Sequence, residues 1–423
     1  MVVTIDSQQV SPWSFAELTP AETHYLTHGY HRYPAKFIPQ LVRQLIEEYS
    51  SQEARICDPF GGCGTTLVEA KLTNRASFGF DINPLAVLIT RAKTTAINPD
   101  ILLRSFTKLC RELENGLAMS SEIADGRLNL GRLVYWFGDT NLRQLLTLKS
   151  RIKTEENPAV RRFFLCALSH ILKNCSYWLT TSTKPQKDPN KVPEFPDKAF
   201  INHASRMIKR SHAFFEEIQK LNPKEPLSIM RKADARNLPL PNECIDLIIT
   251  SPPYSTSYEY PDIHQLSALL FGFCTSLSDF RRGFIGSKTG NHHRDGRLRS
   301  LKAIRAIRDL RMIDTRLSDA IQSYFLDMSY VYREMYRVLK RGGRACIVIG
   351  DTELRGVPIP NAKVAAEQMC EVGFLLEEMI ERPVLGRVLA PYRDKHSGRF
   401  TSPKNPAAKK VYSHEYILVL RKK

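Results

Sequence analysis

A chain of 423 residues that is 43% hydrophobic and 25% charged can bury a full core, which excludes disordered, collagenous and coiled-coil classes and leaves room for two or three domains. Its 61 Lys and Arg against 44 Asp and Glu give a net charge of +17, so the expected partner is a polyanion, nucleic acid first. The chain shows no long apolar run, no signal-like N-terminus in MVVTIDSQQVSPWSF and no CxxC pair among nine cysteines; a cytoplasmic protein with reduced thiols and neither membrane nor metal as partner is expected.

In chain order, His31-Arg32-Tyr33-Pro34-Ala35-Lys36-Phe37 precedes a helix, IPQLVRQLIEEYS. ARICD (54–58) is a short apolar strand ending in an acid, followed by a Gly-rich turn and the helical TTLVEAKLT. ASFGFD (76–81) repeats the pattern, and NPLAVLITRAK continues as a helix with Pro84 in its first turn. RRFFLCALSHILKNCSYWLTTSTK reads as an amphipathic helix and a polar loop, and 182–197, with four prolines, as a linker. CIDLIIT (244–250) is a third buried strand. The long helix DAIQSYFLDMSYVYREMYRVLK is expected to stop in a turn at Arg341-Gly342-Gly343 before the strand ACIVIGD (345–351). NAKVAAEQMCEVG supplies a helix and YSHEYILVLRK (412–422) a closing strand.

Strands separated by helices imply an α/β fold with a mostly parallel, doubly wound, Rossmann-like sheet and a ligand at the carboxyl ends of its strands. Segments 151–232, 281–311 and 381–423 each carry a net +8, which accounts for the whole excess. The first two interrupt the strand–helix alternation. The expected organisation is 1–95, a largely helical insertion over 96–227, and 228–423 containing a basic segment at 281–311.

Three motifs sit at predicted strand ends. Asp58-Pro59-Phe60-Gly61-Gly62-Cys63-Gly64-Thr65-Thr66 joins strand to helix; its glycines allow a tight turn and close approach to a ligand, and neither a Walker A lysine nor GxGxxG spacing is present. Asp81, followed by Ile82 and Asn83, ends the next strand, where an acid accepts hydrogen bonds from ribose hydroxyls. Thr250-Ser251-Pro252-Pro253-Tyr254 ends the third. Consecutive prolines donate no hydrogen bonds, so their carbonyls and the Ser251 hydroxyl form a rigid set of acceptors beside an aromatic ring, suited to an amino group on a planar base.

On these motifs the chain resembles the S-adenosylmethionine-dependent DNA amino-methyltransferases, and Ser-Pro-Pro-Tyr looks most like the branch that modifies the N4 amine of cytosine. Adenine enzymes more often carry Asp or Asn at that position, and some with Ser also act on adenine. The resemblance implies a class I methyltransferase fold and S-adenosylmethionine as cofactor. It assigns cofactor binding to Asp58, Pro59, Phe60, Gly61, Gly62, Gly64, Thr65 and Thr66 and to Asp81, Ile82 and Asn83. It extends the same role to Tyr33, Pro34, Lys36 and Phe37, and to Asp234 and Ala235, the acid reading the adenine amine. Catalysis falls to Ser251, Pro252, Pro253 and Tyr254.

It also implies double-stranded DNA as partner, base flipping, and a restriction–modification system with a partner endonuclease. The charge of 281–311 makes Arg281, Arg282, Lys288, Arg294, Arg297 and Arg299 candidate phosphate contacts, and that of the helical insertion 96–227 makes it a candidate target-recognition domain. Tyr258 and Tyr260 are equally suited to a base pocket or to packing, and His292 and His293 lack the companions of a metal site. RNA or tRNA amino methyltransferases and a non-enzymatic DNA-binding protein remain as rival readings.

Overall fold

A computed structural model describes residues 13–15, 17–34, 36–114, 128–221, 225–255, 259–286, 296–383, 392–394, 401–410 and 414–423. After two 3-10 turns, Glu22–His24 and Leu26–Gly29, α1 (Pro39–Tyr49) begins at its proline and buries Leu41, Val42, Leu45 and Ile46 along one stripe. Then come β1 (Arg55–Asp58), α2 (Thr65–Leu72), β2 (Ala76–Asp81) and α3 (Pro84–Thr94). Asn83 caps α3 by accepting from Leu85 N. Four helices follow: α4 (Pro99–Glu114), α5 (Leu130–Lys153), α6 (Pro158–Ile171) and α7 (Pro196–Leu221).

The sheet resumes with β3 (Ser228–Lys232) and β4 (Ile245–Thr250), then the short α8 (Tyr260–Ile263), α9 (Gln265–Leu270) and α10 (Leu277–Arg281). The remainder comprises α11 (Leu301–Arg311), α12 (Thr315–Val338), β5 (Leu339–Ile349), the ribbon β6 (Thr352–Leu354) and β7 (Val357–Ile359), and α13 (Asn361–Val372). Strand β8 (Phe374–Pro383), the ribbon β9 (Tyr392–Asp394) and β10 (Ala408–Lys410), and β11 (His414–Lys422) complete it.

Seven strands form one sheet in the order β3-β2-β1-β4-β5-β11-β8. The first five pair in parallel and β11 is antiparallel to both neighbours, the class I methyltransferase arrangement within the Rossmann-like group. Alternate residues of the central strands face opposite layers. Ile56, Leu247, Ile249, Cys346 and Val348 pack with α1, while Cys57, Ile248, Ala345 and Ile347 pack with α11, α12 and α13. Helices α4 to α7 share a single core with α3 and α9, through residues such as Leu85, Ile89, Phe163, Phe164, Phe200 and Leu269.

One expectation is corrected. No turn separates α12 from β5, because the helix ends at Val338 and Leu339 already pairs with Ile245. Gly343 serves close strand approach instead, since a Cβ there would lie 2.8 Å from the Asp246 carbonyl oxygen. The closing strand is the antiparallel member of the mostly parallel sheet; among the described residues the connection from β8 to it holds the β9–β10 ribbon and no helix of the kind that carries a chain to a parallel neighbour.

Candidate active site

At the carboxyl edge, β1 delivers Asp58 to the start of the Gly-rich loop and β4 delivers Thr250 to the start of Ser251–Tyr254. Cys57 pairs with Ile248, which sets the two strand ends abreast. Asp58 is 3% exposed. Its Oδ1 accepts from Thr250 Oγ1 at 2.6 Å and Phe60 N at 3.1 Å, and its Oδ2 from Thr66 Oγ1 at 2.8 Å. Burial raises its pKa to about 6 against the pull of these three hydrogen bonds. One carboxylate therefore ties the loop to the strand end before Ser251. Gly64 caps α2 at φ 78°, and a Cβ there would lie 2.5 Å from Thr90 Cγ2.

Asp81 ends β2, where each oxygen takes one backbone donor, Asn83 N at 2.8 Å and Gly62 N at 2.9 Å. Burial raises it, too, to about 6. The Tyr33 ring lies 4.9 Å from His264 and 6.0 Å from Tyr260, and His264 Nδ1 meets Asn83 Nδ2 at 2.8 Å. Lys36 Nζ donates to the His28 carbonyl at 3.4 Å, and burial lowers its pKa to about 8.

The N-terminal segment that carries Tyr33 and Lys36 is anchored by the fully buried Glu69 of α2. Glu69 accepts from His28 Nε2 at 2.6 Å, Arg43 Nε at 2.8 Å and the Tyr25 hydroxyl at 2.5 Å. Burial opposes its ionisation, but these partners hold its pKa below the usual carboxylate value. Burial likewise lowers His28 to about 4, so a neutral imidazole donates its Nε2–H.

Residues from these segments line one cleft of about 880 Å³, counting its open mouth. Tyr33, Lys36 and Phe37 form one wall; Asp58 to Gly62, with Thr65, another; Asp81 to Asn83, Asp234 and Ala235 a third; and Ser251, Pro253 and Tyr260 reach the same space. Of the other expected residues, Pro34, Gly64, Thr66, Pro252 and Tyr254 do not line it. Tyr254 places its ring beside Gly350, where a Cβ would lie 3.1 Å away, and donates its hydroxyl to Glu415 Oε2 at 3.4 Å. Glu415 is in turn held by Arg382 Nη1 at 2.9 Å. Asp234 is gripped by Arg236, which also reaches Asp327 at 2.9 Å.

Sequence reasoning missed Cys63, Ala233 and Gly283–Ile285 as lining residues. The apolar Phe284-Ile285 pair inside a basic run was the available signal. Among the basic candidates, Arg281 bonds Asp262, Arg282 lies 3.0 Å from Asp279 and Arg299 lies 3.2 Å from Glu371, while Arg297 is exposed. Lys288, Arg294, Ala35, Tyr258, His292 and His293 lie outside the described residues. Among the described residues no helix is long and apolar enough to cross a membrane, and no group of three or more His, Cys, Asp or Glu is placed to hold a metal.

The donor set fits S-adenosylmethionine. Asp81 keeps a lone pair on each oxygen for a ribose diol, Lys36 offers a cation to a carboxylate, and Phe60, Ile82 and Ile285 present apolar surface to a purine. Gly61 lets the loop pack closely on the sheet beneath it: a Cβ there would lie 3.0 Å from Met230 Cε.

The family model described as DNA methylase matches residues 6–91 and 245–423, the two stretches that flank α4 to α7. The Type II methyltransferase M.MvaI of Kocuria varians is 26% identical over 94% of this chain and 92% of its own length. M.AvaI of Nostoc is 24% identical over 83% and 80%, and M.BsoBI of Geobacillus stearothermophilus 24% over 82% and 78%. An S-adenosylmethionine-dependent methyltransferase from Methanosarcina mazei superposes at a TM-score of 0.32 with 9% identity over 93% of this chain and 98% of that one, which adds nothing to the strand order itself. With well over half its length matched and that strand order beneath it, the chain belongs to the N6/N4 family of DNA methylases, amino-methyltransferases that draw their methyl group from S-adenosylmethionine.

Proposed function

We propose that this chain is a site-specific Type II DNA methyltransferase of a restriction–modification system that methylates the N4 amine of cytosine, with the target base turned out of the duplex. The observation that carries the reading is the shared cleft: Ser251 and Pro253 open onto the same space as Asp81, Lys36 and the Gly-rich loop. The Type II relatives, matched over most of their length, support site specificity, and Ser at the head of the tetrapeptide supports cytosine.

S-adenosylmethionine supplies an electrophilic methyl group on a sulfonium. Everything else is the work of the chain's own residues. Asp81 accepts from the ribose hydroxyls, Lys36 pairs with the methionine carboxylate, and Tyr33 and the Gly-rich loop enclose the chain between them. Asp58 acts through Thr250 and Thr66, holding cofactor loop and catalytic loop in register.

An exocyclic base amine is a poor nucleophile because its lone pair is delocalised into the ring. The Ser251 hydroxyl and the Pro252 carbonyl accept its two hydrogens, favouring a pyramidal nitrogen whose lone pair is directed at the methyl carbon; the amine would gain its C–N bond as the sulfonium C–S bond breaks to leave a neutral thioether, and would release one proton to water by way of the Ser251 hydroxyl. Extruding the base costs a few kcal/mol, which stacking on Tyr254 and contacts to the flanking strand offset. The Glu415 and Arg382 pair behind Tyr254 fixes the ring for that purpose.

The test is Ser251→Ala, assayed by tritiated methyl transfer with mass-spectrometric identification of the product base. The expected result is a rate loss of about two to three decades, the scale of removing one preorganised polar group, with cofactor affinity retained. An unimpaired rate overturns the assigned chemistry, and N6-methyladenine in wild-type product overturns the base.

A further inference from the structure

Basic residues are useful to a polyanion only where their charge is not already satisfied. In the described part of 281–311, nearly every cation is bound to a carboxylate of the same chain. Arg281 holds Asp262, Arg282 Asp279, Arg299 Glu371, Lys302 Glu367, Arg305 and Arg308 share Asp309, and Arg311 holds Asp319. Handing any of these to a phosphate first breaks an ion pair and leaves a carboxylate beside the DNA.

Helix α7 differs. Its inner face buries Phe200, His203, Ala204, Met207 and Phe214. Lys198, Asn202, Arg206 and Lys209 are exposed at steps of four, four and three residues, which a helical period gathers into one outer stripe. From 198 to 215 the helix contains no acid, and none of these three cations has a carboxylate partner among the described residues. At 1.5 Å per residue the stripe is about 16 Å long, the axial span of about five phosphates on one strand.

A second observation joins α7 to the cleft. Exposed Arg32 donates its backbone N–H to His170 Nδ1 at 3.2 Å, and His170 stacks on His203 of α7 with centroids 3.7 Å apart and planes 6° from parallel. Arg32 precedes Tyr33, which lines the cleft. Burial does most to lower the pKa of both imidazoles, and the positive fields of Arg32 and Arg206 add to it, so these two cations crowd the same pair of rings.

We infer that the outer stripe of α7, flanked by Arg32, seats the phosphate backbone of duplex DNA and leads it to the rim of the catalytic cleft. This rests on the DNA methyltransferase reading above. Cations without carboxylate partners release only counterions when they meet phosphate, so each cation of this stripe contributes a full step to the salt dependence of binding.

The experiment is fluorescence anisotropy with a fluorescein-labelled, mixed-sequence duplex titrated at several KCl concentrations. It compares wild type with the triple variant Lys198→Gln, Arg206→Gln, Lys209→Gln, the three single variants, and Arg305→Gln, Arg308→Gln, Arg311→Gln on α11. Each α7 cation neutralised is expected to flatten the slope of log K against log salt by about 0.9, and the triple variant by about 2.7. The α11 triple is expected to change the slope by less than one such step.

Cofactor titration of every variant checks the fold, and the single substitutions, all at exposed positions, keep the comparison readable should the triple variant not fold. Wild-type slope and affinity in the α7 variants, with a wild type that binds duplex, overturn this inference alone. A wild type that binds no duplex at any salt removes the parent reading with it.

Discussion

The bond between Thr250 and Asp58 gives the sharpest test of how the two loops are held together. Thr250→Val keeps the side-chain volume and removes the hydroxyl that donates to Asp58 Oδ1 at 2.6 Å, at a site where the two residues are 1% and 3% exposed. A hydrogen bond to a buried charge is worth about 1.5–3 kcal/mol. Taking about 2 kcal/mol, loss of the bond lifts the folded-state pKa of Asp58 by about 1.5 units from its already raised value of about 6.

The unfolded value of about 3.9 is the same in both proteins. Because the folded pKa lies above the unfolded one, the native state binds more protons than the unfolded state between them, and stability falls as pH rises through that window. The variant's window extends higher. Its extra destabilisation is therefore developed at pH 8, at about 2 kcal/mol, and shrinks toward about pH 5.5, where Asp58 is largely protonated in both native proteins. Melting temperatures of the two proteins measured across this range check it. Methyl transfer should fall along with it, and Thr250→Ser should restore both. A stability difference that does not change with pH refutes the idea that an ionised Asp58 is what Thr250 holds.

Cofactor affinity should be bell-shaped in pH. Asp81, raised to about 6 by burial, must ionise to accept from ribose hydroxyls, so affinity rises through that pH; Lys36, lowered to about 8, must stay protonated to meet a carboxylate, so affinity falls above it. Calorimetric titration at stepped pH measures both limbs, and a flat profile contradicts the assignment. Gly64→Ala combines a left-handed backbone with a Cβ 2.5 Å from Thr90 Cγ2, for a cost of about 2–4 kcal/mol seen as a lowered melting temperature, whereas an unchanged melt would mean that the turn relaxes freely. Glu69→Gln leaves Arg43 facing an amide within a buried cluster, and limited proteolysis should then cut the segment before α1 faster while the cofactor KM rises; equal digestion of both proteins argues against Glu69 as its anchor.

Features set by a residue's own backbone are legible from sequence, and features set by distant partners are not. Gly64 and the Pro252-Pro253 pair announce their loops because the constraint is local, a left-handed turn in one case and missing donors in the other. Apolar runs such as IDLIIT announce central strands for the same reason. Nothing near Asp58, by contrast, indicates that its carboxylate is bound by Thr250, 192 positions away. Asp234 reads as an open acceptor in sequence, but Arg236, two residues on, occupies its oxygens in a geometry that spacing cannot reveal.

Charge behaves the same way. Counted along the chain, 151–232 and 281–311 weigh alike at +8. Folding pairs cations of the second with acids drawn from α8, α12 and α13, and turns three of the first, Lys198, Arg206 and Lys209, toward solvent along one face of α7. The electrostatic footprint of such a protein is thus a property of which partner each cation already holds, and only tertiary structure decides that.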